Sequence, residues 1–280
     1  MGETTRRGEY RAEWSRIKPY FNLALRCGVI VRPQLLGVPV DTLRIASFNT
    51  HWGVTLAGLP FDVVEACAAL NPEVLVLQES WRPNAQPGYA SEIAQRLGMT
   101  LHELPIMSDL NSARPRGLAL PPGEVGDCGL AVLTSLPVVD RININLGHAP
   151  GDAIKERFGL ALTVALPSGS TATIAGVHAS HRLWGSLPQL RRLHHAINDI
   201  GGPSAIVGDC NMWGPPIKSV LRGRRRAVKG RTWPSARPHS QIDHIWIDQS
   251  WRVLSASVEP NVGSDHRPIK AEIQLREDWP

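Results

Sequence analysis

Residues 73–79 read EVLVLQE, with Val74, Leu75, Val76 and Leu77 in unbroken succession before Gln78 and Glu79. A strand with one wet face would alternate, so this run predicts a strand buried on both faces. Such a strand needs covering layers on either side, and the flanking sequence supplies them. LRIASFN (43–49) reads as a strand, with Leu43, Ile45 and Ser47 alternating against Arg44, Ala46 and Phe48. FDVVEACAAL (61–70) reads as a helix stopped near Asn71-Pro72, and residues 90–97 read as another, ended by Gly98. CGLAVLTS (128–135), FGLALTVAL (158–166) and TATIAGVH (171–178) read as strands, with Pro167-Ser168-Gly169-Ser170 as the turn between the last two. Leu187, Leu190, Leu193, Ile197 and Ile200 share one helical face. SAIVGD (204–209), IDHIWI (242–247), WRVLSASV (251–258) and PIKAEIQL (268–275) are further strands. Roughly nine strands and three helices in this order predict an α/β sandwich, two mixed sheets face to face with helices outside.

Composition narrows the class. Of 280 residues 42% are apolar and 20% charged, which suits a folded globular chain and excludes a disordered one. Cys27, Cys67, Cys128 and Cys210 are too far apart for a zinc knuckle or a redox dithiol, and they suit a reducing compartment. FNLALRCGVIV (21–31) is the nearest approach to a signal segment. Arg26 interrupts it, no small-residue cleavage site follows, and it falls short of the ~20 residues a bilayer span requires. The expected location is cytoplasmic. Residues 1–40 read as an N-terminal arm, either a short helix at 9–26 followed by Pro33 and Pro39 or a poorly ordered terminus, and 41–280 as the main domain.

Positive charge is concentrated. Lys218, Arg222, Arg224, Arg225, Arg226, Lys229, Arg231 and Arg237 fall within 214–240, a stretch without a single acid, and they exceed the whole formal excess of +5. A solvated loop would account for such a run; a patch that attracts phosphates would too.

The polar residues at strand ends carry the chemistry. One strand ends at Asn49, another at Gln78-Glu79, another at His178, another at Asp209-Cys210-Asn211; a further one begins with Asp243, and Ser264-Asp265-His266 precedes the last. Singly, each has a bland explanation, since Asn and Asp-x-Asn form turns and a terminal Glu is solvated. Asp243 resists it, because a carboxylate just inside an apolar strand needs a partner. As a set they converge where α/β sheets bind ligands. Glu79 and Asp265 are hard oxygen donors suited to Mg2+ or Mn2+. Asn49 and Asn211 orient a phosphate or water, and Asp209 takes a proton from that water. Asp243 pairs with His266 and holds it cationic, and His178 offers one more donor. Such a set performs phosphoester hydrolysis.

In order along the chain, FN (48–49), LQE (77–79), GLAVLTSLP (129–137), GVH (176–178), GDCN (208–211), QIDHIW (241–246) and SDHRP (264–268) resemble the endonuclease/exonuclease/phosphatase superfamily, with its deoxyribonuclease-I-like fold, across roughly 43–275. The resemblance implies a four-layer α/β sandwich and a catalytic domain at 41–280 that uses magnesium-dependent attack of water on phosphorus. It implies that Asn49 and Glu79 hold the metal and Asp265 shares it. Asp209 would activate or orient water beside Asn211, His178 would contact the phosphate, and Asp243 with His266 would stabilise the transition state. Arg157 would match a phosphate-facing arginine. The sequence departs from the family at Cys210, where many members have a bulky apolar residue, and at His51, where some place an acid as a further metal ligand. His51 is therefore expected to bind metal or phosphate, or to line the loop, and one metal is expected in preference to two.

Substrate is read from two features. The basic connection runs from the GDCN strand to the Asp243 strand, so Arg224, Arg225 and Arg226 are expected at the mouth of the site. Trp52, Trp81, Trp184 and Trp213 follow motifs, and Trp233 lies in the basic segment. Packing explains such tryptophans; so does a platform for bases, with Trp184 and Trp213 contacting substrate. Together these features predict a nuclease, with nucleic acid as substrate. The alternative is a lipid or small-molecule phosphodiesterase or phosphatase with a membrane lipid as partner. A non-catalytic binding module is disfavoured by the intact motif set, and no protein partner can be inferred.

Overall fold

A computed structural model describes residues 41–111 and 125–276. The arm at 1–40 and the helix expected at 9–26 lie outside the described residues. The strands are β1 (Thr42–Asn49), β2 (Val74–Pro83), β3 (Thr100–Asn111), β4 (Val125–Thr134), β5 (Val138–Gly147), β6 (Arg157–Ala165), β7 (Thr171–His178), β8 (Ser204–Asp209), β9 (Arg225–Arg226), β10 (Asp243–Ile247), β11 (Trp251–Val258) and β12 (Ile269–Leu275). The helices are α1 (Val63–Ala68), α2 (Tyr89–Leu97), α3 (Leu183–Ile200) and α4 (Pro215–Val220), with a 3-10 turn at His51–Gly53.

Two six-stranded sheets form, in the orders β11-β12-β1-β2-β4-β3 and β5-β6-β7-β8-β10-β9. Each is mixed, with one parallel pair, β1–β2 in the first and β7–β8 in the second. Between the sheets lies one apolar layer that includes Leu43, Ile45, Val74, Val76, Ile174, Val207 and Ile245. Alternate residues of the first sheet, among them Phe48, Leu75 and Leu77, pack against Val63, Ala90 and Ile93 of α1 and α2. On the far side Ile206 and Trp246 meet Leu190, Leu193 and Ile197 of α3 and Ile217 of α4. The unbroken run at 74–77 is thus explained: even positions fill the inter-sheet layer, odd positions the helix layer. Removing one such side chain, as in Leu75→Ala, costs about 2–5 kcal/mol.

Local chemistry sets the boundaries. Asp62 caps α1 by accepting the Glu65 N–H at 2.8 Å, and Gly98 ends α2 with φ of 63°. Ile200, at the end of the predicted helical face and the last residue of α3, is 38% exposed. The sequence reading falls short at β3 and β5. Both are sheet edges and carry polar residues within their apolar pattern, so neither shows the apolar run of a central strand. Among the described residues no helix is long and apolar enough to cross a membrane.

Candidate active site

Sheet register assembles the site. His178 pairs with Asp209, and Asp209 with Asp243, so three adjacent strands present these residues in one row. They continue the faces that farther down hold Ile174, Val207 and Ile245 between the sheets. Because side chains alternate with period two, each strand ends its inter-sheet face in a polar group. Asn49 closes β1 the same way, opposite Gln78 of β2. Glu79 arrives differently. The β2–β4 register slips between Leu77 and Ser80, and Glu79 there has φ of 52°. This bulge turns the carboxylate into the cleft, in a conformation that costs a non-glycine residue on the order of 1–3 kcal/mol. Gly208 has φ of 141°, and a Cβ on it would lie 2.0 Å from the Val177 carbonyl oxygen, so only glycine permits β7 and β8 to close here.

The groups interlock. Asn49 Nδ2 donates to Asp209 Oδ2 at 3.1 Å and to Glu79 Oε1 at 3.3 Å, while its Oδ1 accepts the His51 N–H at 3.1 Å. The Asn211 backbone N–H donates to Asp209 Oδ1 at 2.8 Å, and its side chain donates to the Ala179 carbonyl at 3.0 Å. His266 Nδ1 lies 3.0 and 3.1 Å from the two oxygens of Asp243. Its Nε2 is 3.8 Å from Asp209 and 3.9 Å from Asp265. His178 Nε2 is 3.7 Å from Asp209 and 3.8 Å from Glu79. A cleft of about 610 Å3 opens onto Glu79, His178, Asp209, Asn211, Asp265 and His266.

Burial separates the proton affinities. It disfavours charge on His266, but the carboxylates of Asp243 and then Asp209 outweigh it and raise the imidazole pKa to about 10. His266 is therefore an imidazolium. Burial, reinforced by the charges of Arg157 and His266, pushes His178 well below its ordinary range, so it is neutral. Burial also raises Asp209 to about 7, against the pull of His266, and raises Glu79.

Asp209, Asp243 and His266 bring ligand atoms within 4.8 Å of one another. Because His266 is cationic and tied to Asp243, this group is better described as an ion-paired triad than as a metal centre. The donors that fit a hard divalent cation are Glu79 and Asp265. Glu79 is desolvated, and its one basic neighbour within 4 Å among the described residues is the neutral His178.

Several expected contacts are placed elsewhere. Arg157 lines the cleft, its Nε 2.8 Å from Asp152 and its Nη1 3.1 Å from the His178 carbonyl. Trp213 lines it too and is 60% exposed. Trp52 and Trp233 also line it, whereas Trp81 is buried behind Trp52, with ring centroids 5.7 Å apart. Trp184 does not reach the cleft; its indole N–H donates to the Pro150 carbonyl at 3.0 Å. His51 does not line it either, its Nδ1 held 2.9 Å from the Val54 carbonyl. The mouth expected for Arg224, Arg225 and Arg226 is the wrong one. Arg224 is buried and clamps α3 to β8, with Nε 3.2 Å from His194 and Nη2 3.0 Å from both Asn198 Oδ1 and Ser204 Oγ. Arg225 donates to the Trp251 carbonyl and Arg226 to Gln241. All three line a different cavity, because the edge strand β9 carries them to the side of the sandwich instead of its end.

Three residues support the site in roles the sequence does not assign: Ser264 reads only as part of its motif, Trp233 only as one of the candidate platform tryptophans, and Asp152 is not singled out at all. Ser264 accepts the His266 N–H at 3.1 Å and donates to the Asn49 carbonyl at 2.7 Å. Trp233 Nε1 donates to Asp265 Oδ2 at 3.2 Å. Asp152 holds Arg157; burial works against its charge, but the bonds from Arg157 and the Ile154 N–H keep its carboxyl well below the usual range.

Comparison with known proteins bears on the family and the fold. The model of the endonuclease/exonuclease/phosphatase family matches residues 46–266. A family protein from Beutenbergia cavernae has a similar structure, with a TM-score of 0.60 and 21% identity over 84% of this chain and 72% of that one. The human Nocturnin catalytic domain with bound sulfate is similar at a TM-score of 0.63 and 19% identity, over 85% of this chain and 97% of that one. A mannosyl-6-phosphatase from Bacteroides thetaiotaomicron has a TM-score of 0.58 and 15% identity, over 82% of this chain and 99% of that one. Among curated proteins none matches the chain significantly by sequence. The family match spans most of the chain and takes in the Asn49, Glu79, Asp209 and His266 positions, so this protein belongs to the endonuclease/exonuclease/phosphatase family of phosphoester hydrolases.

Proposed function

We propose that the protein is a divalent-metal-dependent phosphodiesterase that cleaves nucleic acid by in-line attack of water on phosphorus. The observation that carries this reading is the buried Asp209 carboxylate set 3.8 Å from the His266 imidazolium in a cleft that Arg157 also lines. Mg2+ or Mn2+, when bound, would be held by Glu79, which Asn49 orients, and by Asp265, which Trp233 holds, and would supply charge neutralisation at the phosphate and a more acidic water. Asp209 Oδ2 takes the proton of the attacking water, while Asn49 and the Asn211 N–H keep that carboxylate in place. Asp243 fixes His266 through Nδ1, which leaves Nε2–H to stabilise charge developing on the phosphate. Neutral His178 and the anchored Arg157 contact the remaining oxygens. The bond from phosphorus to the leaving oxygen then breaks and that oxygen takes a proton from solvent, giving a phosphomonoester and a free hydroxyl, while Asp209 returns its proton to solvent.

Nucleic acid is favoured by Trp213, whose exposed face at the cleft suits stacking on a base at ~1–3 kcal/mol. One observation favours a small phosphoester instead: the Arg224–Arg226 segment does not line the cleft, so the cleft itself reads only the phosphate and its near surroundings. The test is a magnesium-dependent hydrolysis panel of single-stranded DNA, abasic duplex, RNA, sphingomyelin and an inositol phosphate, with Asp209→Ala as control. Nucleic-acid cleavage absent from the control is expected. Hydrolysis of the small phosphoester or lipid alone would keep the chemistry and discard the substrate.

A further inference from the structure

A second cavity, of about 830 Å3, lies at the side of the sandwich where β9 and β11 end their respective sheets. Lys218, Arg224, Arg225, Arg226, Lys229 and Arg231 line it, with Gln241 and Trp246, and no acidic residue does. Among the described residues none of the six cations enters an ion pair, although carboxylates elsewhere on the molecule pair with Arg44, Arg82, Arg96, Arg157 and Lys270. Lys218, Arg225, Lys229 and Arg231 are exposed.

Two donors at this cavity are left without acceptors. Arg226 gives Nη1 to Gln241 at 2.9 Å, yet its buried Nε has no partner, and its guanidinium lies 5.3 Å over the Trp246 ring. Trp246 is 2% exposed, and its indole N–H is likewise unpaired. A buried orphan donor is costly, and in native proteins it points to a missing acceptor. Burial also depresses the pKa of Arg224, Arg225 and Arg226, and in Arg225 the charge of Arg276 adds to it. Charged guanidinium groups are thus gathered at a concavity with spare N–H groups and, among the described residues, no carboxylate in its lining.

We propose that this cavity is a binding site, separate from the catalytic cleft, for an anion that carries several phosphate groups. Guanidinium forks match phosphate oxygens in geometry, and lysines add point charges around them. The volume suits a ligand of nucleotide size or larger. Either a free polyphosphate or a run of nucleic-acid backbone presents this chemistry. The two sites share a segment: Gln241 accepts hydrogen bonds from Arg226 and Gly230 on the cavity side, while Ser240 and Ile242 line the cleft. The cavity is thereby placed to hold phosphates of a polymer whose scissile bond lies in the cleft, but its binding chemistry does not depend on that substrate.

The test is equilibrium binding in chelator, without turnover, of inorganic tripolyphosphate and of a fluorescein-labelled single-stranded oligonucleotide. Wild type is compared with a Lys218→Gln, Lys229→Gln, Arg231→Gln triple variant, which spares the structural Arg224. Circular dichroism and thermal melting check folding; Lys229→Gln alone serves if the triple variant is unstable. We expect the triple variant to weaken binding by about tenfold or more, and to reduce the salt slope for the oligonucleotide by about 2. Loss confined to tripolyphosphate identifies a free anion as ligand, and loss confined to the oligonucleotide identifies backbone. Wild-type affinity in the variants for both probes, or no binding of either to wild type, overturns the proposal.

Discussion

The catalytic cleft and the basic cavity at the sheet edge are built on opposite plans. The cleft takes Asn49, Glu79, His178, Asp209, Asp243, Asp265 and His266 from the ends of strands in both sheets, and each charge there is held by a hydrogen-bonded neighbour. The cavity takes its six cations from 218–231 alone, and no carboxylate pairs with them among the described residues. A dense run of like charge in a sequence therefore marks a surface, but not the direction it faces. Residues scattered over the chain form one site when strand register brings them into a row. The contrast also separates roles: paired and buried groups suit chemistry, unpaired and exposed cations suit attraction.

The comparison breaks first at Asp209. Asp209→Asn keeps the hydrogen-bonding shape but removes the proton acceptor, so turnover is expected to fall by about 10²–10⁴ with melting little changed; steady-state kinetics on a cleaved phosphodiester reads this. Near-normal turnover would move the base elsewhere in the cleft. The next effect concerns the cleft's one anchored arginine. Asp152→Ala leaves the buried Arg157 guanidinium without its carboxylate and is expected to cost about 3–5 kcal/mol in urea unfolding. Neutralising the exposed Lys229, unpaired among the described residues, would change stability little.

His244 tests the ground between the two regions. It is fully buried on β10, its Nε2 2.9 Å from the Met212 carbonyl and its ring 5.8 Å from Trp246. Burial lowers its pKa from 6.5 to about 4. Between those values the unfolded chain binds a proton that the folded one does not. Stability from this group is complete above the unfolded pKa and is lost as pH falls through the window, by up to about 3 kcal/mol at its lower end. Urea unfolding at pH 7.5 and 4.5 should show this fall, reduced in His244→Gln; an equal fall in both proteins would assign it to other groups. The smallest effect is at the rim. Trp213→Ala should weaken single-stranded oligonucleotide binding by about 1–3 kcal/mol and leave melting unchanged, since the ring is 60% exposed.

Much of the fold is legible in the chain, for identifiable reasons. Central strands such as β2, β7 and β8 are buried on both faces, so their apolar runs are dense, and the helix stops at Asn71-Pro72 and Gly98 are local signals. Edge strands β3, β5 and β9 are missed because one side faces solvent or because a two-residue strand has no period to read. In the site, the polar residues at strand ends stand out against apolar neighbours. The supporting roles of Ser264, Trp233 and Asp152 are not legible, since nothing in a motif serine, a loop tryptophan or a turn aspartate says which partner it will hold.

Residue types and their order alone determined the class of this protein: a sandwich of mixed sheets, hard oxygen donors with a histidine–aspartate pair, and a family whose members hydrolyse phosphoesters. Those properties are local, because they depend on which side chains occur at the ends of apolar runs. Only the tertiary structure decided which cations meet the cleft and which tryptophans line it. Arg224 is buried against α3, Arg225 and Arg226 face the edge cavity, and Trp81 lies behind Trp52. The reason is geometric: a segment can leave one strand end and rejoin another while its side chains turn through any angle, and the packing of the two sheets sets that angle.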